Sequence, residues 1–223
     1  MKTAKAKLEE IFLDGSARIT CPPELIPAPG QYLLVHADGS DASLAVSVFS
    51  SQPASQGGFR SAPPLPSVWR PGHSLTIRGP IGHGFSLPLA VRKVVLVAFD
   101  DTPARLQGLL SLALKQNAEV VVICDTQTED LPEVVEVQPL KALVDTLRWA
   151  DYAAVDVNRE NLDRLKEMLA GQEQVTSKVE AQVLVRTPMP CGAQAECGVC
   201  ALSLHHDWKM ICKDGPVFGL GEL

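Results

Sequence analysis

The chain has 223 residues, 46% hydrophobic and 21% charged, which is globular composition sufficient for one large domain or two small ones. Its formal charge of −6, with Lys and Arg scattered rather than blocked, excludes nucleic acid as a natural partner. The longest apolar runs, Val94–Phe99 and Val120–Cys124, fall far short of the roughly 20 residues a membrane helix needs. The start, Met1 to Lys7, runs into Leu8-Glu9-Glu10 instead of an apolar signal core, so a cytoplasmic protein is expected.

The first 90 residues read as short strands broken by turns. Ala17–Thr20, Tyr32–His36, Leu44–Phe49 and Ser74–Ile77 are strand-like, and Pro22-Pro23, Ala28-Pro29-Gly30 and Arg70-Pro71-Gly72 punctuate them. With no helical period among them, they predict a small antiparallel barrel or sandwich. Residues 51–66, rich in Ser, Gln, Gly, Pro and Ala, predict a long loop.

From Val91 the pattern changes. Val94–Phe99 is apolar throughout, as expected of a strand buried on both faces. Pro103–Gln116 places Leu106, Leu109, Leu110, Leu112 and Ala113 at helical spacing. Capping by Asp101 or Thr102, with Pro103 in the first turn, is the local role expected of Asp-Asp-Thr-Pro. Val120–Cys124 is a second strand, Leu140–Trp149 a helix and Tyr152–Val157 a strand. Asn158–Ala170 is a helix with Asn158 as its cap, and Ala181–Val185 is a last strand. Alternating strands and helices predict a parallel sheet covered on both faces. Three units follow: a barrel (1–90), an α/β layer (91–187) and a cysteine-rich tail (188–223).

Cys191, Cys197, Cys200 and Cys212 crowd that tail with spacing C-x5-C-x2-C-x11-C. Four soft thiolates select zinc or an iron–sulfur cluster. Structural zinc sites usually show two C-x2-C hooks, and one is present here. The plant-type [2Fe–2S] run is C-x4-C-x2-C…C, matched here with one extra residue in the first gap. Gly192, Ala193, Ala195 and Gly198 suit a backbone that must approach the sulfurs closely. Cys124 reads as a core thiol, and Cys21 stands apart from the group. His205-His206 reads as a solvated loop pair, not as Rieske-type ligands. Trp208 and Met210 read as shields of the cluster or as packing.

The closing run, Cys191 to Cys212 followed by Lys213-Asp214-Gly215-Pro216-Val217-Phe218, resembles the end of the electron-transfer subunit of class 1B dihydroorotate dehydrogenase. Gly79-Pro80-Ile81-Gly82-His83-Gly84-Phe85 and Pro29-Gly30-Gln31-Tyr32 resemble further runs of the same family. The resemblance implies a ferredoxin–NADP reductase-like two-domain fold: a β barrel plus an α/β domain, with FAD between them and a C-terminal [2Fe–2S] segment. It makes Cys191, Cys197, Cys200 and Cys212 the metal ligands. Ser47, Gly79, Pro80, Gly82 and Gly84 become the flavin-contact candidates. No catalytic residue is assigned.

Departures from the family pattern are equally specific. The family's R-P-x-S stretch, whose Arg pairs with the flavin pyrophosphate, reads Leu44-Ala45-Val46-Ser47 here. Its second phosphate element has no counterpart, and Arg60 is the substitute to test. The glycine-rich NAD(P)H turn reads Val97-Ala98-Phe99-Asp100-Asp101-Thr102-Pro103, and the C-G-P turn beside the nicotinamide reads Val155-Asp156-Val157-Asn158. Bulk and negative charge replace the glycines that let a phosphate approach. The expectation is an electron-transfer subunit that keeps its cluster and has lost NAD(P)H. It would form a hetero-oligomer with a flavoenzyme catalytic subunit of dihydroorotate dehydrogenase type, in pyrimidine biosynthesis. The alternatives are an FAD-dependent NADH-to-cluster oxidoreductase and a zinc-binding assembly subunit.

Overall fold

The structure, a computed structural model, describes residues 1–42, 44–53, 57–126, 128, 131–204 and 207–223. Six antiparallel strands close a barrel in the order β1-β2-β5-β4-β3-β6. They are β1 (Lys2–Ile11), β2 (Ala17–Thr20), β3 (Tyr32–Ala37), β4 (Val46–Pro53), β5 (Phe59–Ser61) and β6 (Ser74–Ile81). Leu8, Ile19, Leu33, Phe59, Leu75 and Ile77 fill its interior.

Three of these strands depart from the sequence expectation. β1 was not anticipated, because Lys-Thr-Ala-Lys-Ala-Lys has low β propensity. It is held by β6, which pairs with Lys2–Lys7, and then by β2, which pairs with Lys7–Ile11. The expected loop over 51–66 is instead partly strand: β4 runs on to Pro53, and β5 pairs with both β2 and β4.

The second sheet has the order β14-β11-β10-β7-β8-β9. Its strands β7 (Lys93–Ala98), β8 (Glu119–Ile123), β9 (Glu136–Gln138), β10 (Tyr152–Asn158) and β11 (Glu180–Arg186) are all parallel. Helix α1 (Gln107–Lys115), entered through a 3-10 turn at Pro103–Leu106, buries Leu109, Leu110 and Ala113 against one face. Helices α2 (Leu143–Trp149) and α3 (Leu162–Leu169) bury Leu143, Leu147, Leu162 and Leu165 on the other. A short helix, α4 (Glu173–Thr176), follows.

Helix entry differs from the side-chain capping expected. Thr102 holds the cap position before Pro103, yet neither it nor Asn158 makes a side-chain cap bond. Asp101 takes the Thr102 N–H (2.8 Å), and Asp100 accepts from the Asn158 N–H and from Asn161 Nδ2. The carboxylates expected as caps serve the crevice instead.

The tail adds a hairpin of β12 (Ala201–Ser203) and β13 (Trp208–Met210), the turn α5 (Ile211–Asp214), and β14 (Val217–Gly219). β14 pairs antiparallel with β11 at the edge of the large sheet. One hydrophobic core therefore runs from Tyr32 and Phe49 of the barrel, through the α2–α3 face, to Cys200, Met210, Ile211 and Cys212. The cysteine segment is built into that core.

Candidate functional site

Pairing explains the eleven-residue gap between Cys200 and Cys212. The chain leaves Cys200 along β12 and turns where the Leu204 N–H donates to the Asp207 carbonyl (2.8 Å). It returns along β13, with the Ile211 N–H bonded to the Cys200 carbonyl (3.1 Å). α5 then presents Cys212, its first turn fixed by Asp214, which accepts from the Met210 N–H at 2.8 Å. Two cysteines distant in sequence thus meet at the base of a hairpin.

The other two sit on a loop rich in left-handed residues. Gly192, Ala193, Ala195 and Gly198 have φ of 63°, 59°, 60° and 70°. Left-handed residues in such a loop can turn neighbouring N–H groups to one side, forming an anion-binding concavity. The N–H groups of Glu196, Gln194 and Cys197 reach the Cys191 sulfur, and that of Ala195 reaches Cys212. Burial opposes ionisation of Cys191, yet these N–H groups and the Cys197 thiol outweigh it and bring its pKa down to about 6. Burial first, then the neighbouring Cys200 thiol, push Cys212 up to about 12.

The four thiols stand as two pairs, Cys191 with Cys197 and Cys200 with Cys212. Cys200 and Cys212 are buried, Cys191 is half-buried and Cys197 is exposed. Among the described residues no three His, Cys, Asp or Glu side chains converge closely enough for a single metal ion. Cys21 and Cys124 lie elsewhere, and burial pushes both thiols up, Cys21 to about 11. Met210 is buried beside the pairs, whereas Trp208 is 63% exposed and shields nothing. His205 and His206 lie outside the described residues.

Tyr32 was singled out only as part of a strand-entry motif, but it joins the barrel to this site. It is fully buried, its hydroxyl donates to Met189 Sδ at 3.5 Å, and its ring lies 5.7 Å from that of Phe49. Burial, then Cys212, Cys200 and Cys191, push its hydroxyl well above the usual phenol value.

The flavin-contact candidates do not come together. Ser47 lines a cavity of about 210 Å³ with Phe49, Pro64, Arg105, Arg186 and Thr187. Gly79, Pro80, Gly82 and Gly84 are not among its walls. Their open sides face protein: a Cβ on Gly82 would meet Pro216 Cδ at 2.3 Å, and one on Gly84 the Pro29 carbonyl at 2.6 Å. The 79–85 run braces the tail, with the His83 N–H bonded to the Gly215 carbonyl at 2.7 Å.

The crevice at the carboxyl ends of β7 and β10 is where chain order reverses across the sheet, the place open α/β sheets bind ligands. Here it holds five of the chain's own charges. Arg186 pairs with Asp156 (2.5 Å) and Asp100 (3.3 Å), and Arg105 with Asp156 and Asp101 (3.3 Å each). Arg105 also donates to the Pro63 carbonyl at 2.5 Å, tying the α/β layer to the barrel. The sequence marked Asp100 and Asp101 as hostile to phosphate, but their two arginine partners come from segments it had not connected.

The residues present offer FAD few phosphate contacts at the dinucleotide tail. Leu44, at the position of the family's phosphate-binding Arg, is 54% exposed. Arg60 is engaged by Asp14 (2.8 Å), by Ser16 (2.7 Å) and by the Phe12 ring (4.5 Å). No helix lies between β5 and β6.

Comparison with known proteins bears on both regions. Residues 187–223 match the model of the iron–sulfur cluster binding domain of dihydroorotate dehydrogenase B. The chain is 29% identical over 177 residues to the electron transfer subunit of dihydroorotate dehydrogenase B (NAD(+)) from Geobacillus sp. (strain WCH70), covering 71% of this chain and 68% of that one. A solved structure of an NADH-dependent reduced ferredoxin–NADP oxidoreductase superposes with a TM-score of 0.75 at 16% identity, over 98% of this chain and 89% of that one. The ferredoxin reductase of carbazole 1,9a-dioxygenase gives 0.61 at 15%, over 76% and 65%. The fold is that of the ferredoxin reductases, a barrel followed by an α/β layer.

Proposed function

We propose that this chain is the electron-carrying subunit of a cytoplasmic oxidoreductase, holding a [2Fe–2S] cluster on Cys191, Cys197, Cys200 and Cys212 and working without NAD(P)H. The observation that carries this reading is the paired placement of four thiols under an inward-facing row of backbone N–H groups. Two irons sharing four thiolates need two pairs, whereas one tetrahedral zinc needs all four sulfurs around a point. Bound there, such a group supplies one-electron exchange at low potential.

The chain's own residues do the rest. Cys200 and Cys212 anchor the inner side within the hydrophobic core, and the Cys191 loop supplies hydrogen bonds to sulfur. Exposed Cys197, beside exposed Gly198 and Val199, leaves an outer side within reach of a partner. The similarity of the tail to the dihydroorotate dehydrogenase B domain supports a flavoenzyme catalytic subunit of that type as the partner. The loss of NAD(P)H rests on the five-charge network, which leaves no glycine turn for a pyrophosphate and opposes it with three carboxylates. The ferredoxin reductase-like fold supports FAD as a possible second cofactor, while Leu44 and the engaged Arg60 weaken its pyrophosphate contacts.

Anaerobic purification followed by electron paramagnetic resonance of the dithionite-reduced chain tests the reading. A rhombic signal of one reduced [2Fe–2S] per chain is expected. A colourless chain with stoichiometric zinc would overturn it.

A further inference from the structure

Strand β6 alternates between the barrel interior and its outside. Leu75, Ile77, Gly79 and Ile81 are buried inward, and Thr76 and Arg78 point outward. Lys5 and Asp38 engage the Thr76 hydroxyl at 2.9 and 2.7 Å. Arg78 differs: no hydrogen bond or ion pair engages its guanidinium among the described residues. Arg78 is half-buried, and no carboxylate among the described residues pairs with it.

The guanidinium lies against the cysteine loop. A Cβ built on Gly192 would sit 3.0 Å from Arg78 Nη2 and 3.9 Å from its Cζ, so the cation rests on the backbone beside Cys191. Arg78 and the Cys212, Cys200 and Cys191 thiols are also all close enough to act on the Tyr32 hydroxyl. One cation and three of the four thiols therefore converge on one buried phenol.

We infer that Arg78 is a positioning residue for the electron-carrying site, whose charge, set against the Cys191–Gly192 backbone, favours the reduced form. This inference rests on the reading that the four cysteines hold a [2Fe–2S] cluster. Four thiolates and two sulfides outweigh the charge of the irons, so the site is anionic and becomes more so on taking one electron. No bond or proton need change in the chain. A fixed cation nearby stabilises the more negative state more, and net charge is one of the quantities that sets the potential of such sites. A glycine at position 192 is what allows this approach. Any side chain there would push the guanidinium away.

The experiment is spectroelectrochemical titration of the full chain and of R78Q, R78M and R78K, each checked for iron and for its visible spectrum. At an effective dielectric near 20, a unit charge roughly 10 Å away shifts the equilibrium by about tenfold, which for one electron is a fall of about 59 mV. R78Q and R78M are expected to fall together by about that amount, despite their different polarity, and R78K to keep most of the wild-type potential. Equal potentials in the wild type and in either neutral variant would overturn the inference, as would a lysine variant that behaves like glutamine. If one neutral variant fails to load iron, the other carries the test. A wild-type chain without the cluster spectrum sinks the parent reading instead, and the two failures are distinguishable.

Discussion

Arg186 donates from Nε to Asp156 Oδ1 at 2.5 Å, linking the end of β11 to β10 with Asp156 only 1% exposed. A second guanidinium, Arg105, reaches the other Asp156 oxygen at 3.3 Å. One carboxylate thus holds two largely buried cations. Removing one partner of a buried ion cluster costs about 3–5 kcal/mol, because the remaining charge is left uncompensated. Asp156→Ala should lower urea stability by that amount. Asp101→Ala, whose side chain is 34% exposed, should cost no more than about 1 kcal/mol. Equal losses for the two would show that the network is not centred on Asp156.

The same network bears on cofactors. Arg105 bonds the Pro63 carbonyl. Pro63 and Ala104 line one cavity while Pro64 and Arg105 line the cavity at Ser47, so this bond crosses the boundary between the two. A dinucleotide laid along the crevice would have to break it. Each charged hydrogen bond absent at the pyrophosphate removes about 1.5–3 kcal/mol, or roughly tenfold to a hundredfold in affinity. Flavin released on heating the purified chain should be well below one per chain. NADH should leave the visible spectrum of the loaded protein unchanged. Stoichiometric flavin, or bleaching by NADH, would reinstate the oxidoreductase alternative.

The four tail cysteines should not respond alike to serine. Cys212 and Cys200 are buried at the base of the β12–β13 hairpin, where a serine oxygen is too short to reach the same point and no water can substitute. Cys197 is exposed. Cys212→Ser and Cys200→Ser are expected to abolish iron binding. Cys197→Ser should retain a partly loaded, air-sensitive site, since oxygen ligation and solvent can complete the outer pair. Cys21→Ser and Cys124→Ser should keep full iron content. Iron and acid-labile sulfide per chain measure all five. Loss of iron in the Cys124 variant would mean the ligand set has been misassigned.

How far the sequence could be read depended on where each signal was stored. The parallel strands were legible because burial on both faces forces continuous apolar runs, and Val94–Phe99 shows one. The cysteine loop was legible because small residues mark its left-handed positions, although Ala193 and Ala195 occupy two of them without being glycine. β1 is hidden, since the Lys and Ala run forms a strand there only because β6 pairs with it along Lys2–Lys7. The crevice network was half legible. Asp100 and Asp101 announce themselves, but Arg105 and Arg186 become their partners only after three parallel strands are set side by side. Arg78 gave no signal, because its significance is its nearness to a glycine 114 positions further along the chain.

The Asp14–Arg60 pair provides a pH-dependent check on the claim that Arg60 is already engaged. Burial opposes ionisation of Asp14, but the Ser16 hydroxyl and N–H, with Arg60, outweigh it and hold its pKa below the ordinary 3.8. A carboxyl whose folded pKa lies below its unfolded one adds stability above the unfolded value and loses it as pH falls through the folded value. The contribution is therefore full at neutral pH and gone in strong acid. With Asp14 44% and Arg60 27% exposed, solvent screening limits it to at most about 1 kcal/mol. Asp14→Asn should lower stability by up to that amount at pH 7, and the loss should shrink as pH falls below 3.8. If FAD bound tightly to Asp14→Asn but not to the parent chain, the freed guanidinium would be shown able to serve a phosphate. Failure to bind in both would place the defect at Leu44 and in the missing helix.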